Sequence, residues 1–243
     1  MALSMSLEKV EEAAKGLRLS MEKSIGNTPP AVDVKFILDV SGSFHDEHVS
    51  GITNQLMNRL FPWAYAFDPD KKMECYTFSN QAAYIGDITI QNYQAYIQQQ
   101  IINQAPGYGC GTDYAPVLEL VTQKNDTKSG LFNRVRGLFG GKPAQPAVIK
   151  PSIVFFVTDG DNDDKMDTRF VMDKINAAGH PTYFKFVGVN NRPREFAFLQ
   201  ELADKYPNVD FLSVTDIKKF VSLSDEELNE QIISDEMVAW FKE

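Results

Sequence analysis

The chain has 243 residues, 43% hydrophobic and 23% charged, an ordinary globular mixture whose length fits one large α/β domain or at most two small ones. A chain of this size buries roughly 70% of its unfolded surface, so it needs neither disulfides nor structural zinc to fold. Its formal charge of −9 argues against nucleic acid as a partner for the surface at large. No apolar run, Ile153–Val157 included, exceeds five residues, far short of the ~20 residues of a membrane helix. Glu8, Lys9, Glu11 and Glu12 stand where a secretory signal would need an apolar core. Cys75 and Cys110 carry no CxxC spacing, so a reducing compartment, and hence a cytoplasmic location, is expected.

In chain order, Leu3, Leu7, Val10, Ala14, Leu17 and Met21 draw one apolar stripe on a helix that ends near Gly26, ahead of Pro29-Pro30. Residues 1–30 are read as this amphipathic helix and a linker, docked on a domain spanning 31–243; three heptads are marginal for a homotypic coiled coil. Val32–Asp39 reads as a strand that becomes wholly apolar toward its end. A helix is expected over 47–61, with Val49, Ile52, Leu56 and Leu60 on one face. Strands follow at Met73–Phe78 and Ala82–Ile85 around the turn at Ser79-Asn80, then a Gln-rich helix over 91–102. The glycine-rich loop Pro106–Gly111 leads into a helix over 114–123.

Residues 126–150 hold five Lys or Arg against Asp126 alone, a local charge of +4, together with four glycines and two prolines. They read as an insertion. Within it Leu131, Phe132, Val135, Leu138 and Phe139 form a stripe, so 128–142 is expected either to fold back on the domain or to meet an anionic membrane or acidic protein face.

Beyond the insertion, Ser152–Thr158 has the Val-Ile-Phe density of a buried parallel strand. A helix near 167–178, a strand at Thr182–Val187, a helix at 194–204 and a strand at Val209–Leu212 follow. A short helix from Thr215 and an acidic amphipathic helix over 225–241 close the chain. Strands alternating with helices predict an α/β fold with a doubly wound, mostly parallel central sheet.

In such sheets ligands bind beyond the carboxyl ends of the strands, where strand order reverses. The first strand ends in Asp39-Val40-Ser41-Gly42-Ser43 and the strand 152–158 in Thr158-Asp159-Gly160, while the glycine-rich loop delivers Thr112. Taken singly, Ser-Gly-Ser is ordinarily an N-cap and turn, Asp-Gly a turn, and Thr112 a helix cap. Together, Asp39, Ser41, Ser43, Thr112 and Asp159 are an all-oxygen set suited to a hard cation such as Mg²⁺.

Asp39-x-Ser41-x-Ser43, the downstream Thr112 and the strand-end Asp159 resemble the metal-ion-dependent adhesion site of von Willebrand factor A-type (vWA) domains, over residues 32–220. Asp39–Phe44, Gly109–Tyr114, Val157–Asp161 and the helical leader Leu7–Ile25 are most similar to the bacterial group related to TerF tellurium-resistance proteins, and more distantly to copines. The resemblance implies a Rossmann-like fold and a Mg²⁺ (or Mn²⁺ or Ca²⁺) site. The two serines and the threonine would contact the cation directly or through water, with the aspartates acting largely through water. It implies a protein partner that supplies a carboxylate to the metal, no catalysis, and a tellurite or stress-response setting.

Competing motifs fail. Asp159–Asp163 begins like an EF-hand loop, but Asp164 stands where Gly is needed and Phe170 where Glu is needed. Gly107–Thr112 follows a helix and lacks the third glycine of a dinucleotide fingerprint, and Arg136–Pro143 lacks the ends of a P-loop. His45 and His48 read as rim or helix-start residues, since no Gly-x-Ser-x-Gly elbow accompanies them. Asp161, Asp163 and Asp164 read as a solvated acidic rim, with a second cation site as the alternative. Two other function classes stay open at this point: a metal-dependent enzyme of phosphate or acyl transfer using Asp39, and a peripheral membrane scaffold.

Overall fold

A computed structural model describes residues 6–123, 150–189 and 196–243. The basic stripe of 128–142 and Leu3 lie outside the described residues.

Helix α1, Leu7–Ile25, starts at the Ser6 cap and ends where Gly26 takes the left-handed conformation at φ 80°. Its stripe, Val10, Ala14, Leu17 and Met21, is buried, whereas Leu7 is exposed. Strand β1, Asp33–Asp39, follows. The expected helix over 47–61 is two helices, α2 (His45–Val49) and α3 (Ile52–Phe67), broken at Gly51 with φ 79°. Val49 therefore leaves the apolar face it was assigned to and is exposed. Strands β2 (Met73–Phe78) and β3 (Ala82–Ile88) form a hairpin. The Gln-rich helix is shorter than expected: a 3₁₀ turn at Tyr93–Ala95 and α4, Tyr96–Gln100. Helix α5 occupies 115–123. Then come β4 (Ser152–Thr158), α6 (Lys165–Ala177), β5 (Thr182–Val189), α7 (Ala197–Lys205) and β6 (Val209–Val214). The chain ends in α8 (Ile217–Val221), α9 (Asp225–Ile232) and α10 (Asp235–Lys242). The single acidic helix expected over 225–241 is thus two, because the Ser234 side chain caps a new helix by accepting from the Met237 N–H.

The six strands form one sheet in the order β3-β2-β1-β4-β5-β6. All neighbours are parallel except the β2–β3 edge pair. β4 and β5 are buried along their whole length, as strands covered on both faces must be. One face packs Val34, Phe36 and Leu38 against α1, α3, α9 and α10. The other packs Ile37, Phe156 and Phe186 against α5, α6 and α7. The sheet is doubly wound. β1 leads outward to β2, and β4 pairs on its other side and leads outward to β5, so strand order reverses between β1 and β4.

Leu228, Ile232, Met237 and Phe241 all reach the core beside α1 and α3. Cutting the chain after Leu223 is therefore expected to lower the thermal midpoint and raise binding of a hydrophobic dye; an equally stable truncation would show that α9 and α10 add no core.

Candidate metal centre

β1 and β4 run side by side, pairing Leu38 with Val157, so their ends bring Asp39 and Asp159 to one place. Asp39 is fully buried. Its carboxylate accepts from the Ser41 N–H at 2.8 Å and from the Thr158 hydroxyl at 2.7 Å. Ser43 donates its hydroxyl to Asp159 Oδ1 at 2.9 Å. Having one proton, Ser43 must then accept from Ser41, whose Oγ lies 3.1 Å away. Ser41, Ser43 and Asp159 are thereby one hydrogen-bonded oxygen chain beside Asp39. Behind it, the Tyr114 hydroxyl donates to the Gly160 carbonyl at 2.5 Å and touches Thr158 Oγ1 at 3.2 Å.

The glycine-rich loop is stitched to the serine loop through backbone hydrogen bonds. Gly109 N–H donates to the Val40 carbonyl at 2.8 Å, and Gly42 N–H to Cys110 at 3.2 Å. A Cβ on Gly42 would stand 3.1 Å from the Gly109 oxygen, so the approach is built for glycine. Gly107 has φ +71°, and a Cβ there would fall 2.3 Å from Ser79 Oγ. This loop carries Thr112, half-buried, whose carbonyl accepts from the Asp163 N–H at 2.8 Å.

The acidic rim is more built than expected. Asp164 does not merely face solvent: its carboxylate accepts from Tyr114 N–H at 2.9 Å and Ala115 N–H at 2.8 Å, capping α5 from another segment. Those two amides are therefore capped by Asp164, not by Thr112. Lys165 Nζ donates to Asp161 at 2.6 Å. Asp163 and Asp167 are exposed, and their charges, with that of Asp164, add to burial in raising the Asp113 carboxyl above its usual range.

Burial also raises Asp39, against the pull of its Thr158 and Ser41 hydrogen bonds. Asp159 is pushed up to about 7, first by burial and then by the charges of Asp39 and Glu47. Two adjacent carboxylates that resist ionising, flanked by neutral hydroxyls, fit a divalent cation: it would offset both the desolvation and the repulsion. Asp39, Ser41, Ser43 and Asp159 are the residues brought together by direct bonds. The roles of Thr158, Tyr114 and Asp164 in holding the site are not legible in the sequence, where only the strand-end position of Thr158 offers a signal.

A family model for the vWA domain found at the TerF C terminus matches residues 31–133 and 141–243. The chain belongs to this vWA-TerF-like family. A relative in Bacillus subtilis strain 168, the uncharacterized protein YcbR, is 22% identical over 234 residues, 94% of this chain and 85% of the relative. Among solved structures, proximal thread matrix protein 1 from the mussel byssus, in a form with zinc in its MIDAS motif, superposes with a TM-score of 0.52. It is 13% identical, and the match covers 84% of this chain and 48% of that one, so the chain spans about half its length. An aerotolerance-related membrane protein from Bacteroides fragilis gives 0.53 at 14% identity, covering 83% and 98%. These superpositions establish the vWA fold. Among the described residues no helix is long and apolar enough to cross a membrane.

In this vWA domain the two histidines are engaged away from the serines. His45 Nδ1 pairs with the Tyr108 hydroxyl at 2.9 Å. His48 is buried, not on the rim, with Nε2 2.9 Å from the Asp39 carbonyl and Nδ1 3.0 Å from Thr53 Oγ1. A carbonyl only accepts, so Nε2 carries the proton and Nδ1 accepts from Thr53. Burial, aided by His45, lowers the His48 pKa from 6.5 to about 4. The unfolded chain thus binds this proton more readily: the contribution of His48 to stability is whole above pH 6.5 and is lost as pH falls toward 4. The loss is on the order of 3 kcal/mol. Urea denaturation is expected to show the stability gap between wild type and His48→Gln narrowing below pH 6.5; parallel curves would show that His48 is not held neutral.

Proposed function

We propose that this vWA domain is a metal-ion-dependent protein-interaction module and not an enzyme. It binds Mg²⁺, with Mn²⁺ and Ca²⁺ as the other candidates, through Asp39, Ser41, Ser43, Thr112 and Asp159. A protein partner then docks a carboxylate there. The observation that carries this reading is the oxygen chain from Ser41 through Ser43 to Asp159, beside buried Asp39, at the strand-order reversal.

When bound, the cation supplies a fixed positive point for an incoming carboxylate. The chain's own residues set how strongly it acts. Asp39 and Asp159 provide negative charge from a buried position, while the hydroxyls of Ser41, Ser43 and Thr112 add oxygen without charge, so the cation's field is only partly cancelled. Hydrogen bonds from Thr158 and the Ser41 N–H hold Asp39 in one orientation. The zinc-bearing byssus protein supports a divalent cation on this fold. The histidines bond to Tyr108, Thr53 and a carbonyl instead of activating a serine, which favours binding over acyl transfer. The TerF likeness favours a cytoplasmic stress or tellurite response, and both cysteines are free thiols, in keeping with a reducing compartment.

Calorimetry with Mg²⁺ and Mn²⁺ tests the site. Wild type is expected to bind, and Asp39→Ala and Ser43→Ala to lose most of that affinity; equal affinity in Asp39→Ala would sink the reading. Thr112→Ala is expected to weaken binding while its thermal midpoint in EDTA stays at the wild-type value. At a hundredfold excess over Kd, Mg²⁺ should stabilise the wild type by about 2.7 kcal/mol.

A further inference from the structure

At the end of the sheet opposite the candidate metal centre lies a cleft of about 630 Å³, within the range of roughly 300–1,000 Å³ taken by small-molecule sites. Its floor forms where strands begin. Pro151 stands immediately before β4, Pro181 immediately before β5, Pro207 shortly before β6 and Pro30 shortly before β1. Proline has no N–H, and the carbonyls of Pro151 and Pro181 accept from the Asp33 and Ser152 N–H groups, both at 2.9 Å. The prolines therefore line the cleft with apolar rings and supply no backbone donor.

Helix α10 supplies the other wall. Trp240 meets Phe241 edge-on, at 5.2 Å between ring centroids, and Tyr183 at 5.5 Å, so its indole is held in place by two neighbours. Glu236 and Glu243 line the cleft, and no Lys or Arg is among the described residues that do. His180 is held at Nδ1 by the Thr182 hydroxyl at 2.8 Å. The two asparagines of the lining, Asn176 and Asn208, direct their amide nitrogens to the Met172 and Thr182 carbonyls at 2.9 and 2.8 Å. Asn208 Oδ1 is buried and has no partner. The lining is thus apolar, anionic and richer in acceptors than in donors.

We propose that this cleft binds a small organic ammonium ion, a protonated amine carried on an apolar or aromatic body. The body packs on the prolines and Phe241, while the cation lies against the Trp240 ring and is balanced by Glu236. Charge complementarity decides the class of ligand. A carboxylate or phosphate would meet two glutamates and no Lys or Arg, and a neutral apolar molecule would gain nothing from Glu236. The cleft is independent of the metal. β1, β4, β5 and β6 are parallel, so their starting ends lie a full strand length from Asp39 and Asp159.

The test uses the full chain in EDTA, so its outcome does not depend on the metal-site reading. The probes are phenethylammonium, the neutral phenethyl alcohol and the anionic hydrocinnamate, each titrated while the indole N–H signals of the two tryptophans are followed by NMR. Phenethylammonium is expected to shift the Trp240 signal, identified by its loss in Trp240→Phe, and to leave that of Trp63, which is buried in the core. The alcohol should bind at least tenfold more weakly and hydrocinnamate more weakly still. Glu236 is exposed, so its replacement should not unfold the chain. Glu236→Gln should weaken phenethylammonium binding at least fivefold, and Glu236→Asp, which keeps the charge, should restore most of it. No shift at Trp240 in millimolar phenethylammonium, equal binding of the alcohol, tighter binding of hydrocinnamate, or undiminished binding to Glu236→Gln would each overturn the proposal.

Discussion

The reversal of strand order between β1 and β4 is the constraint on which the site depends. Each parallel strand must hand its chain to a crossover that returns over one face of the sheet, and at β1 and β4 the crossovers leave in opposite directions. The carboxyl ends of these two strands therefore open onto a crevice that neither crossover covers. What stands there is decided by where the apolar runs stop. β1 is buried to its last residue, and that residue is Asp39; β4 is buried to Thr158, and the next residue is Asp159. The same burial that makes these strands central places two carboxylates in a poorly solvated position. Their raised pKa values are a consequence of topology before they are a feature of function.

Holding such a pair requires a frame, and the frame is largely backbone. Gly42 and Gly109 let the serine loop and the glycine-rich loop approach until main-chain amides and carbonyls bond directly. Asp164 ties the third segment in by capping α5, so the loop after β4 and the helix after the glycine-rich loop share one carboxylate. Three connections far apart in sequence are thus fixed to each other by bonds additional to the Ser43–Asp159 link of the oxygen chain. Ser41, Ser43 and Asp159 are bonded mainly among themselves, by hydrogen bonds that a cation can replace at modest cost.

How much of this the sequence disclosed follows from the range of each interaction. β1, β4 and β5 were legible because full burial writes continuous apolar runs, and the meeting of Asp39, Ser41, Ser43 and Asp159 was legible because each lies at or just past a strand end. The helices were less so. Gly51 breaks 47–61 and Ser234 breaks 225–241 inside patterns whose apolar spacing runs on unchanged, since periodicity reports a buried face and not the continuity of the backbone. The role of Asp164 was invisible: its partners, Tyr114 and Ala115, are fifty residues away in sequence, and nothing in an acidic run tells which carboxylate faces solvent and which caps a helix. His48 shows the same limit. Beside the serine loop it reads as a rim residue, yet the turn at α2 swings it under Asp39, where its tautomer is fixed by a carbonyl.

On the proposed function, the acidic residues around the centre act before contact. Glu47, Asp113, Asp163 and Asp167 reach up to a Debye length, about 8 Å in physiological salt, so they would draw a cation toward the centre and disfavour an anion that comes without a balancing charge. A carboxylate docked on the metal would be common to every acidic surface and could not by itself discriminate among partners. Discrimination would then fall to residues that do not touch the metal.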